Sequence, residues 1–160
     1  MPIIKDGAPV SQDPWITLED DADVPSSGDV VVPLAVALDK QERLSNHAGQ
    51  FGLLVPNDAV LEDHADLVAM ADLIVLELPA FTDGRTYSQA RILREVLGYE
   101  KELRVKGDVL PDQAAYLKRC GFDSFDFDGA FDAEVWHKAL GAMSTGYQRS
   151  YKDQLDNRRL

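Results

Sequence analysis

Three arginines, Arg85, Arg91 and Arg94, fall within the stretch PAFTDGRTYSQARILRE (Pro79 to Glu95), in a chain whose net charge is −12. Tyr87, Arg91 and Arg94 are spaced by four and three, which places them on one face of a helix. Ala90, Leu93 and Leu97 make the neighbouring face, which reads as core. Gly84 lets the backbone turn into that helix, and Thr82 or Asp83 can cap its free amides. With Arg85, Thr86 and Ser88 near the helix start, amides, helix dipole and guanidinium all favour an anion there. Sulfate, sulfite, phosphate or a partner's carboxylate fits that description. A purely structural reading competes with it: Asp83 caps, Arg91 pairs with Glu95 and Arg94 is solvated.

A second constellation is expected at strand ends. Glu77 closes the apolar run LIVLEL, where a carboxylate must be paired or shift its pKa. Lys106, ending the next strand, is its natural partner. Glu77 or Asp108 can serve as a general base and Lys106 as an electrostatic stabiliser. Asp126 and Asp128 could join Glu77 around a magnesium-type cation, although no spacing requires it and no metal site is assigned. His47, His64 and His137 are scattered, and Cys120 is the only cysteine, so no internal disulfide or multi-cysteine metal site can form. GxGxxG, Walker and GxSxG motifs are absent, and no cofactor fingerprint is evident.

The elements that must carry these residues alternate. Strands are expected at Val30–Leu38, Phe51–Val55, Leu73–Leu78, Glu102–Val105 and in FDSFDF. AVLEDHADLVAM reads as a helix or two short turns, and Gly84–Leu97 as a helix stopped by Gly98. A helix starting at Pro111 and closed by Gly121, and another in AFDAEVWHKALGAM, follow. Such a rhythm predicts an α/β fold, a mostly parallel sheet of four to five strands built from βα units. An open three-layer sheet is the first expectation and a half-barrel the alternative. Residues 1–28 read as an acidic arm or loosely packed extension that Trp15, Ile16 and Leu18 could pin to the body, 29–146 as a single domain and 147–160 as a polar tail.

Charge is divided unevenly. Residues 1–80 carry 15 acidic and 3 basic side chains, whereas residues 81–160 carry 13 of each. The acidic half disfavours nucleic acid and anionic lipid, and suits a basic protein partner. No apolar run reaches the roughly 18 residues of a membrane span, and the start lacks the order of a secretory signal, so a cytoplasmic location is expected. A sheet of this kind could also pair with a second copy.

FTDGRTYSQARILRE followed by ELRVKGDVLPDQAAYLKRCGFDSFDF resembles a bacterial family of unknown function. The similarity covers about Val30 to Met143, most specifically Phe81 to Phe127. Members are often labelled oxidoreductases and lie beside genes for assimilatory sulfite reductase and phosphoadenylylsulfate reductase. The resemblance supplies no active site, but its hallmark positions include Asp83, Gly84, Arg85, Tyr87, Ser88, Arg91, Arg94, Asp112 and Gln113. It implies an accessory protein of sulfite reduction that docks on the reductase and binds a small oxyanion or acidic group. An enzyme with a polar strand-end cleft, and an anion or metabolite sensor, are the alternatives.

Overall fold

A computed structural model of the chain describes residues 3–127, 129 and 132–141. Its strands are β1 (Ile3–Lys5), β2 (Ala8–Pro9), β3 (Ile16–Thr17), β4 (Val30–Pro33), β5 (Phe51–Val55), β6 (Leu73–Leu78), β7 (Glu102–Gly107) and β8 (Ser124–Phe127). Its helices are α1 (Leu34–Asp39), α2 (Gln41–Ser45), α3 (Ala65–Met70), α4 (Arg85–Arg91), α5 (Ala114–Cys120) and α6 (Ala133–Gly141). One eight-stranded sheet has the order β2-β1-β8-β7-β6-β5-β4-β3. From β3 to β8 all neighbours are parallel; β1 is antiparallel to β8, and β2 to β1.

Spatial order therefore follows chain order from β3 to β8. Right-handed crossovers repeated in one direction return each helix to the same face. Buried residues from all six helices accordingly share one cluster with Val32, Leu53, Leu76, Val105 and Phe125. The sheet curls into a half-barrel with the helices outside. The three-layer sheet is thereby corrected, because it needs helices on both faces and a reversal of strand order.

Eight strands replace the four to five expected, and the arm supplies the additional three. Ile3 and Ile4 are buried, and their strand extends the sheet beyond β8. The chain then crosses to the opposite edge, where β3 pairs with β4. On the way Asp13 meets Arg104 of β7, and Trp15 packs on Val31, Leu73 and Val75. The arm runs as a strap across the concave face, pinned at Ile3, Ile4, Asp13 and Trp15.

The run Val30–Leu38 also divides. Only Val30–Pro33 is strand, and Leu34–Asp39 is α1. Proline at the strand end has no amide to continue the ladder, and LAVALD then supplies helix formers. The later helices keep their stops: Gly98 and Gly121 have φ of +65° and +110°. Among the described residues no helix is long and apolar enough to cross a membrane.

Candidate functional site

Strand β7 decides the chemistry of the concave face. Leu103 and Val105 point to the helical core, so the alternating Glu102, Arg104 and Lys106 point inward. On β8, Phe125 and Phe127 are core and Ser124 and Asp126 face inward. Toward the other edge the same face is apolar, with Val31, Leu73 and Val75 under Trp15 and Leu54.

The deeper polar groups close on one another. Arg104 is 5% exposed and donates to Asp13 at 2.8 Å, to Glu102 at 3.1 Å and to Ser124 Oγ at 3.2 Å. Ser124 Oγ donates to Glu102 at 2.7 Å, and Lys5 Nζ reaches the same carboxylate at 2.6 Å. Burial pushes the Glu102 carboxyl up, but Lys5, Ser124 and Arg104 outweigh it and hold the group below its usual range. Each buried charge there has a partner, which burial demands.

One step toward the strand C-termini the pattern changes. Glu77, Lys106 and Asp126 stand side by side in register on β6, β7 and β8. All three are half-buried. Yet none of the ion pairs within 4.0 Å among the described residues includes any of them. Lys40, Arg94 and Arg104, the other partly or fully buried cations with resolved partners, each hold a carboxylate. Asp126 Oδ1 is buried without a hydrogen-bond partner. Burial raises the Asp126 carboxyl above its ordinary pKa, against the opposing pull of Lys106 and Arg104.

The strand ends that carry this row are fixed. Gly107 has φ of +130°, and a Cβ there would lie 2.3 Å from the Leu78 carbonyl oxygen, so only glycine allows the approach. Asp108 N donates to that same oxygen at 2.9 Å. Thr86 Oγ1 donates to the Glu77 carbonyl at 2.7 Å. Asp108, expected as a base, accepts from Phe81 N at 3.0 Å and ties the loop after β6.

The arginine helix is built differently. Asp83 accepts from the backbone amide, Nε and Nη2 of Arg85, and from Asn57. Hydrogen bonds from Arg85 hold its carboxyl down at about 2. Gly84 precedes the first turn of α4 and Ser88 is exposed. Tyr87 stacks on Tyr116 at 5.3 Å, and Arg91 pairs with Glu95 across one turn. Arg94 is 4% exposed rather than solvated. It donates to the carbonyls of Gly121, Tyr99 and Lys101 and to Asp123 at 2.7 Å. A π-helical turn, Ile92–Val96, carries it there, at the strand N-termini and a helix length away from Arg85. Gln113 donates to the Phe81 carbonyl, and Asp112 is exposed.

The tertiary structure thus brings Glu77 and Lys106 together, adds Asp126 and distributes the three arginines. Asp126 was visible in the sequence only as one of a pair with Asp128, which lies outside the described residues, as does the tail 147–160. Its signal was periodic: charges alternating with core residues in ELRVK and SFDF mark one polar face on strands that, in an all-buried parallel sheet, read as continuous apolar runs. Among the described residues no group of three or more His, Cys, Asp or Glu side chains is placed to hold a metal ion.

Residues 52–156 match the model of DUF934, a bacterial protein family of unknown function, and the chain belongs to that family. Comparisons with curated proteins and with solved structures gave no match.

Proposed function

We propose that this family member acts through a small-ligand site at the open mouth of the half-barrel, centred on Lys106 between Glu77 and Asp126. One observation carries the reading: a half-buried ammonium stands in register between two carboxylates and makes an ion pair with neither. Keeping charges apart in a partly desolvated place is costly unless something else completes them. The position agrees, since parallel α/β and barrel enzymes gather their chemistry at strand C-terminal ends. Lys106 would stabilise negative charge on the ligand, and Glu77 would act as base. This is the enzyme reading, and the oxidoreductase label of similar proteins belongs with it as a further proposal.

Lys106→Met tests it. The variant should keep its unfolding free energy within about 1 kcal/mol, because no ion pair is lost. It should also lose every metabolite-induced rise in melting temperature that the native protein shows. Metabolite shifts that persist unchanged in Lys106→Met would place the ligand elsewhere.

A second reading, an accessory protein docking on sulfite reductase, is favoured by the division of charge, 15 acids against 3 bases in residues 1–80. Exposed acids on the helical side, among them Glu42, Glu62, Asp63 and Asp66, suit a basic partner. Association with the reductase should then weaken steeply with salt. No association at low salt would remove this reading.

A further inference from the structure

We infer that the ligand of the mouth is a small zwitterion of the α-amino acid type, its ammonium over Glu77 and its carboxylate on Lys106. This rests on the site proposed above and assigns its ligand class.

The concave face carries two polar rows. Both alternate in charge, and both are built by β7 with its neighbours. The deeper row closes, because Glu102 has Lys5, Ser124 and Arg104 around it, and Arg104 has Asp13 from the strap. Nothing from the chain's described residues performs that service for the upper row. Strap and closed network form the floor of the mouth; Glu77, Lys106 and Asp126 form the layer above it.

Neighbouring strands stand about 4.8 Å apart, so the three head groups span a distance comparable to a small molecule. A simple anion there would gain Lys106 but sit against Glu77. A simple cation would gain Glu77 but sit against Lys106. A ligand bearing both charges on adjacent carbons meets each with its opposite. Orientation follows from the third member. Asp126 Oδ1 is buried with no partner, so this carboxyl is the less open of the two. Lys106 is the donor for a carboxylate. Glu77 remains as the acceptor for an ammonium.

The experiment is an NMR titration of the full chain with glycine, acetate and methylammonium, each added separately at pH 7 and low salt. Glycine should shift the amides of Glu77, Lys106 and Asp126, and bind at least tenfold more tightly than acetate or methylammonium. Lys106→Met should abolish the shifts, and Glu77→Gln should make glycine bind no better than acetate. Equal binding of acetate and glycine, lost in Lys106→Met, would overturn the zwitterion while leaving the site standing as an anion site. Equal binding of methylammonium would overturn it in favour of a cation site. Glycine without effect on these amides overturns the inference, and the site itself falls only if the wider metabolite screen also shows no dependence on Lys106.

Discussion

The arginine helix and the mouth of the half-barrel carry similar numbers of charges but treat them in opposite ways. On α4 and its π-helical extension each arginine is already engaged: Arg85 by Asp83, Arg91 by Glu95, and Arg94 by three carbonyls and Asp123. In the mouth, Glu77, Lys106 and Asp126 share a row and leave one another unbonded. Density of charge in a sequence therefore does not locate a site. What distinguishes the mouth is charge left open where water is partly excluded.

The comparison can be broken at its strongest point first. Arg94→Met would remove the guanidinium that donates to the Gly121, Tyr99 and Lys101 carbonyls and to the Asp123 carboxylate. Its unfolding free energy should fall by about 3–5 kcal/mol in urea titration with an unchanged m-value. A fall below about 1 kcal/mol would show that Arg94 is not a structural clamp, and the contrast would collapse.

Asp13→Asn probes the closed floor. Arg104 would keep Glu102 and Ser124 but lose its shortest ionic contact, at 2.8 Å. A loss of about 1–3 kcal/mol is expected, with faster hydrogen exchange in the strap than in β7. Equal exchange in both would mean that the strap is not held by this pair.

The open row should respond with the opposite sign. A carboxyl whose folded pKa is raised destabilises the fold as pH rises through that value, and costs nothing below its unfolded pKa. Asp126→Asn should therefore raise stability at pH 7–8 by about 1 kcal/mol, the scale of a buried acceptor without a partner. The gain should shrink as the pH falls toward about 4 and vanish below it, where the unfolded carboxyl is also protonated. A melting temperature lowered at pH 8 would show that the Asp126 carboxylate has a partner after all.

Arg91→Ala completes the series with the smallest effect. An exposed pair one helical turn apart is worth no more than about 0.5 kcal/mol, and ligand binding at the mouth should be unchanged. Loss of binding in this variant would return the site to the arginine helix.

Much of the fold was legible in the chain. Hydrophobic runs located β5 and β6 to the residue, because a strand buried on both faces has no alternation to blur its ends. Glycine and proline punctuation bounded α4 and α5, since Gly98 and Gly121 adopt a backbone that other residues avoid. The neighbouring placement of Glu77 and Lys106, though not the ion pair expected between them, followed from their places at the ends of consecutive strands. These are local determinations, made by residues near one another in sequence.

What only the tertiary structure decided is non-local. Whether helices cover one face or two depends on strand order, which no run of residues encodes, and the same βα rhythm serves both arrangements. Trp15 and Leu18 were legible as anchors of the strap, but its strands were not, because they are two or three residues long and gain their order from β4 and β8, far along the chain. Arg94 looked like a surface cation until the turns at Tyr99 and Gly121 closed around it. Lys106 looked like half of an ion pair until the fold set it between two carboxylates and joined it to neither. Propensity and periodicity fix where the backbone hydrogen bonds go, whereas the desolvation of a charge is fixed by everything that packs around it.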